Sequence, residues 1–428
     1  MMVHKNTVSF IFYFLALLSL YIYYAEQAED LRVSTSILFY LLIAIVASGI
    51  SYGYIWMTKL NNRMVFFNSM VFFWSIAFYV NSYKILGMQI QWPSIEMAYA
   101  AYLTPILAFL ATIIFSNKRK SKDIKRVNCK GLNVVATLSI IVAVSIAIYE
   151  MSVIGIVPIL MDNINQSRLE YSLPFIHVVS ETFFKLSFYM ATYLIVISKY
   201  RIKFNSLIAF TSLLYFIITF SRSGLMQLGL FLIFIILIWK GKETLSNIRL
   251  TGFLLLLVIL FSSLGSIRQE VDFSIQEYTE SKVENSAVNW LYGYYFVNFD
   301  NLALSMKSDP VDYSGKRSFL FATQIFNTKL SKLQFNEYSY IGKLNLGTGF
   351  RSFYLDWGLY LGAFFLGLLL LFYGFILSLI KTDLFVLYKA LFLTYIALFP
   401  MVNRFSGFIP FFIFITIFLL DFLFRRRH

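Results

Sequence analysis

Five arginines carry the first chemical signal in the chain: Arg168, Arg222, Arg268, Arg351 and Arg404. Arg168, Arg222 and Arg404 sit in polar breaks between apolar runs, whereas Arg268 opens and Arg351 closes a long polar segment. Arginine holds a fixed charge and presents a planar fork of donors that matches phosphate oxygens. Arg168 and Glu170 follow the stretch Gly155-Ile156-Val157-Pro158, and Arg404 lies in Asn403-Arg404-Phe405-Ser406-Gly407. Arg222 lies in Ser221-Arg222-Ser223-Gly224, a hinge that exposes backbone N–H groups at a helix start, a favourable place for an anion. The bland reading of any one of these is a headgroup anchor, or a local pair with Glu170 or Asp356. Arg222 has no acid nearby in sequence.

Three groups are candidates to accept a proton: Asp356, Glu170 and His177. His177 is the one histidine away from the termini. It can serve as a base near neutral pH, or simply sit solvated at an interface. Glu181 and Lys185 are spaced i, i+4 and share one helical stripe, as a buried structural pair or as the wall of a polar cavity. Lys389 and Asp421 fall near the ends of apolar runs and are expected to snorkel to water. Trp290, Tyr292, Tyr294, Tyr295, Phe296 and Phe299 form an aromatic run, by default an interfacial belt, with sugar stacking as the sharper alternative. The single Cys129 closes no intramolecular disulfide, and no Cys/His cluster suggests a metal.

The elements that position these groups are apolar helices. Of 428 residues, 59% are apolar, 19% aromatic and only 14% charged, against a soluble norm of about 45–50% apolar and about 25% charged. That balance excludes a soluble enzyme, a disordered chain and a secreted disulfide scaffold. A spanning helix needs about 20 apolar residues. Twelve stretches qualify: 8–24, 33–57, 64–80, 95–115, 132–149, 176–197, 204–220, 224–239, 250–266, 353–380, 384–402 and 407–424. The reading is an all-α polytopic membrane protein organised as residues 1–266 (nine spans), 267–350 (one large outer loop with interfacial helices) and 351–428 (three spans and a basic tail).

Net charge is +14, and its distribution accounts for it. Lys118, Arg119, Lys120, Lys122, Lys125, Arg126 and Lys130 fall in one loop, and Lys199, Arg201, Lys203, Lys240, Lys242, Lys381 and Arg425-Arg426-Arg427 in others on the same side. Glu26, Glu29, Asp30, Asp162 and Glu170 fall on the opposite side. The positive-inside rule then sets both termini in the cytoplasm, and nucleic acid is not an expected partner. All five arginines above map to the outer mouth, where that rule disfavours them.

At these residues the chain resembles the oligosaccharide repeat-unit polymerases of bacterial surface polysaccharides, the Wzy family of O-antigen and capsule polymerases. The matching pieces are Gly155-Ile156-Val157-Pro158 followed by Arg168, the Ser221-Arg222-Ser223-Gly224 hinge, the long outer loop, and Leu346-Gly347-Thr348-Gly349 running into Tyr354-Leu355-Asp356-Trp357-Gly358 and on to Gly362. They span roughly residues 149–407. Trp357-Gly358 stands where the family usually has Phe-Gly. The resemblance implies a GT-C-like membrane glycosyltransferase of the bacterial inner membrane, working without metal, nucleotide sugar or other cofactor. It implies undecaprenyl-pyrophosphate-linked oligosaccharides as substrates, membrane lipids around the chain, and a chain-length regulator and a flippase as partners. Arg168, Arg222, Arg268, Arg351 and Arg404 would then bind the pyrophosphate, with Asp356, Glu170 or His177 as base. The rival readings are a lipid-linked oligosaccharide flippase, against which the large outer loop argues, an O-antigen ligase with the same general plan, and a membrane O-acyltransferase.

Overall fold

The structure, a computed structural model, describes residues 125–161, 175–240, 286–309, 315–322, 348–402 and 404–425. It adds isolated positions at 167, 170, 171, 173 and 311 and a helical face comprising Phe66, Ser69, Met70, Phe73, Trp74, Ala77, Val80 and Asn81. The expected spans 8–24, 33–57, 95–115 and 250–266 lie outside the described residues, as do Arg168 and Arg268.

Among the described residues the protein is all-helical, with no strand. The helices are α1 (Cys129–Ile154), α2 (Ile176–Val196), α3 (Ile202–Ile218), α4 (Arg222–Lys240), α5 (Ser286–Tyr295), α6 (Asn298–Ser308), α7 (Arg351–Leu379), α8 (Leu384–Leu398) and α9 (Phe408–Phe424). Three are long and apolar enough to cross a membrane: α1, α7, and α4 over Arg222–Trp239; α3, α8 and α9 are shorter apolar helices. The chain forms two compact units that interleave along the sequence. The first comprises Met1–Asn117, Ser274–Phe375 and Tyr395–Gly407, and the second Lys118–Phe273, Ile376–Thr394 and Phe408–His428.

The second unit is built around α2, which packs against α1, α3, α4 and α9. From Phe184 to Leu194 every side chain of α2 is buried. Asn128 caps α1 by accepting from the Gly131 N–H, and Gly155 ends it in the left-handed conformation at φ 71°. That conformation costs a non-glycine residue steric strain, so glycine is the natural stop. The buried stripe of α1 is small (Ala136, Ser139, Ala143, Ala147), whereas Leu138, Ile141, Ile148 and Val153 are exposed. Small residues let the backbones of α1 and α2 approach closely, and the large apolar face turned outward suits hydrocarbon rather than water. Phe184 stacks on Tyr215 with centroids 4.0 Å apart, and the Ser187 and Ser212 hydroxyls meet at 2.9 Å. These contacts tie α2 to α3.

Lys389 and Asp421 correct the expectation of snorkelling, for both are buried. Asp421 accepts from Lys381 N, Thr382 N, Thr382 Oγ1 and Arg425 Nη2, the last at 2.7 Å. A carboxylate with four donors around it is solvated by the protein itself, so it has no need to reach water. Lys185 is likewise buried, with its Nζ 2.6 Å from Glu181 Oε1. It forms a structural ion pair.

In the first unit, α5 and α6 lie within the stretch 267–350 anticipated as a large loop, much of which lies outside the described residues. Within the aromatic run, Tyr292 and Phe299 serve as core, whereas Tyr294, Tyr295 and Phe296 are half-buried. Tyr292 and Phe299 are buried, Phe299 packs edge-on to Trp74 at 4.8 Å, and the Tyr295 hydroxyl donates to the Ala397 carbonyl at 2.7 Å. Asn81 Nδ2 donates to Asp300 Oδ2 and to the Phe296 carbonyl, both at 2.8 Å. Helix α7 breaks at Gly358, whose φ of 71° and ψ of −170° are not helical. That region of backbone space is essentially reserved for glycine.

Candidate functional site

One end of the second unit assembles titratable groups from four helices. The α3–α4 connection is only three residues long, and α2 and α3 are joined by a turn at 197–201, so successive helices run antiparallel. The last turn of α1, the first of α2, the last of α3 and the first of α4 therefore share an end. Glu150 comes from α1, His177 from α2, Tyr215 from α3 and Arg222 from α4.

Glu150 is fully buried. Its Oε1 accepts the Leu173 backbone N–H at 2.9 Å, and its Oε2 lies 3.2 Å from His177 Nδ1. The Tyr215 hydroxyl approaches the same nitrogen at 3.5 Å, and Tyr171 stands edge-on to the imidazole with centroids 5.7 Å apart. Burial holds the Tyr171 hydroxyl well above its ordinary pKa, and the Glu150 charge adds to the shift, so Tyr171 stays neutral. The His177 side chain is 28% exposed, so part of the ring remains accessible. A buried carboxylate that engages Nδ1 sets both tautomer and ring orientation and stabilises the imidazolium once a proton arrives. His177 stands out in the sequence and Glu150 does not. The signal was present as an acid at the end of an apolar run, with nothing local to mark its partner 27 positions away. Glu170 is exposed near this loop.

Arg222 is the first residue of α4 and is buried. The hinge before it is tight: Phe220 has φ 49°, Ser221 N donates to the Phe216 carbonyl at 2.9 Å, and the Ser221 carbonyl accepts from Leu225 N at 3.0 Å. A Cβ at Gly224 would overlap the Phe216 ring. The Ser-Arg-Ser-Gly composition is thus dictated by a close turn that delivers Arg222 to a helix N-terminus, where backbone N–H groups and the helix dipole favour anions.

The other described candidates belong to the first unit. Arg351 is buried, with Nε donating to Ser305 Oγ at 2.6 Å and Nη2 lying 3.5 Å from Asp309 Oδ2. Asp356 is fully buried; it accepts from Arg317 Nη1 at 2.9 Å, Arg317 N at 2.8 Å and Ser318 N at 2.6 Å. Its partner is therefore Arg317, a residue not singled out from sequence, and not Arg351. With three donors on its oxygens, Asp356 suits an anchor better than a base. It ties segment 315–322 to α7, and Ser406 Oγ extends that tie by donating to the Ser318 carbonyl at 2.6 Å. Arg404 is half-buried, and its Nε is enclosed without a hydrogen-bond partner among the described residues.

Among the described residues no group of three or more His, Cys, Asp or Glu side chains could hold a metal ion. Comparison with known proteins returns no matching family model, no matching curated sequence and no matching solved structure.

Proposed function

We propose that this chain is a metal-independent glycosyltransferase of the bacterial inner membrane that polymerises undecaprenyl-pyrophosphate-linked oligosaccharide repeat units at the outer leaflet. The observation that carries this reading is the end of the second unit where a buried glutamate holds a histidine, the end at which Arg222 opens α4. The resemblance on the Gly155–Pro158, Ser221–Gly224 and Tyr354–Gly362 motifs supports it.

The chemistry follows from these side chains. The incoming lipid-linked unit offers a sugar hydroxyl. His177, with Nδ1 engaged by Glu150, accepts the hydroxyl proton at Nε2 as the oxygen forms a bond to the anomeric carbon of the growing glycan. The bond from that carbon to the pyrophosphate oxygen breaks, and the lipid pyrophosphate leaves with the electron pair. Arginines placed where that negative charge develops lower the barrier in a water-poor site. Arg222 is the foremost of these, with Arg168 and Arg268 as further members. General-base assistance of this kind is worth about 10²–10⁴-fold in rate.

Deletion in the native host, followed by gel analysis of the surface glycan, tests the assignment. Loss of the ladder with a single repeat unit retained is the polymerase result. Loss of every lipid-linked unit from the outer face is the flippase result, and intact polymer that fails to reach its acceptor is the ligase result. Within the polymerase reading, Arg222→Ala and Arg222→Lys should both be impaired at normal membrane levels, because an ammonium lacks the planar fork. Full-length polymer from both would remove Arg222 from the site.

A further inference from the structure

The end of the second unit opposite Glu150 gathers cations from three stretches of chain. Lys125 and Arg126 precede α1, Lys199, Arg201 and Lys203 surround the α2–α3 turn, and Lys381 lies between α7 and α8; all six are exposed. Direct contacts hold these stretches together. Lys125 N donates to the Lys381 carbonyl at 3.2 Å, and Asp383 N donates to the Lys125 carbonyl at 3.0 Å. Asn205 Nδ2 donates to Asn133 Oδ1 of α1 at 3.2 Å and to the Arg201 carbonyl at 3.3 Å.

Two acids described at this end, Asp383 and Asp421, are engaged internally. Asp421 is fully buried among its four donors, and Asp383 Oδ1 accepts the Val127 N–H at 2.9 Å. The cations are left facing outward while their counter-charges are spent on structure. Lys199 and Arg201 also adopt φ of 50° and 43°. Glycine would relieve that strain, yet cations occupy both positions, and backbone strain of this kind concentrates at functional turns. Finally, Ile202, Phe204, Phe422 and Leu423 are exposed at the same end. The charge therefore borders apolar surface.

We infer that this face binds anionic phospholipid headgroups through their phosphates. Basic side chains flanked by exposed apolar ones match the boundary between charged headgroups and acyl chains. An acidic soluble partner would have no use for the apolar rim. The inference is independent of the glycosyl-transfer reading, since it involves none of the residues assigned to that chemistry.

The test uses the full-length protein in neutral detergent, offered equal amounts of phosphatidylglycerol and phosphatidylcholine, with retained lipids counted by native mass spectrometry. Wild type should retain phosphatidylglycerol about five-fold or more over phosphatidylcholine at low salt, and the preference should fade at about 0.5 M salt. A triple variant Lys199→Gln, Arg201→Gln, Lys203→Gln should lose most of that preference with an unchanged melting temperature. The charge-keeping triple Lys199→Arg, Arg201→Lys, Lys203→Arg should retain it. Equal retention of the two lipids by wild type overturns the inference, and so does an undiminished preference in the glutamine variant. Capture of poly-glutamate without lipid preference also overturns it and assigns the face to an acidic polypeptide.

Discussion

The Glu150 carboxylate lies 3.2 Å from His177 Nδ1, joining the last turn of α1 to the first turn of α2 across 27 positions of sequence. The acid is fully buried while the imidazole is partly open, so the pair presents one face to solvent and keeps its charge partner inside. That asymmetry is what a positioned base requires.

If His177 is the base of the proposed polymerase, His177→Ala should reduce the rate of polymer growth in membranes by about 10²–10⁴-fold. Glu150→Gln keeps the size of the side chain and its acceptor for the Leu173 N–H, but a neutral amide no longer stabilises an imidazolium. It should therefore lower the rate at saturating substrate while leaving the half-saturating concentration nearly unchanged. Normal polymer from a well-folded Glu150→Gln variant would reduce the pair to a structural contact.

Asp356 and Arg317 should behave as a buried structural pair. Removing either partner alone, as Asp356→Ala or Arg317→Ala, leaves an uncompensated buried charge and should cost about 3–5 kcal/mol. The double replacement Asp356→Ala, Arg317→Ala should cost less than the sum of the two single changes. Thermal unfolding in detergent reads the cycle, and strictly additive losses would mean the two side chains do not interact.

Gly358 and Gly155 share a φ of 71° but not a ψ. Gly155→Ala places its methyl in open space and in an allowed left-handed well, so a loss of about 1 kcal/mol is expected. Gly358→Ala enters a region that alanine avoids and should cost about 1–3 kcal/mol. Melting temperatures of the two variants should rank in that order.

Asp421→Ala removes the acceptor shared by Lys381 N, Thr382 N, Thr382 Oγ1 and Arg425. Each buried donor left unpaired costs about 1–3 kcal/mol. The expected outcome is faster tryptic cleavage at the carboxyl terminus and at Lys381 than in wild type. An unchanged digestion pattern would show that the backbone bridges Val127–Arg425 and Lys125–Thr382 hold these segments unaided.

The sequence by itself determined where the apolar helices lie. The stretches 132–149, 176–197, 204–220, 224–239, 353–380, 384–402 and 407–424 each coincide with a helix of the structure. Composition is enough for this, because a long apolar run between polar breaks has few ways other than a helix to satisfy its backbone. The hinge before Arg222 was legible for a similar reason, as its small residues are a local steric requirement of a tight turn. Apart from the local Glu181–Lys185 pair, only the tertiary structure decided which charge meets which. Asp356 pairs with Arg317, 39 positions away, and not with Arg351 on its own helix. Asp421 is enclosed by donors from Lys381, Thr382 and Arg425, so it is buried where its place near the end of an apolar run suggested water. Glu150 was invisible as a functional group until packing of α1 on α2 brought His177 to it. Periodicity and propensity act over a few residues, whereas the solvation of a buried charge is settled by whichever distant donors the packing delivers.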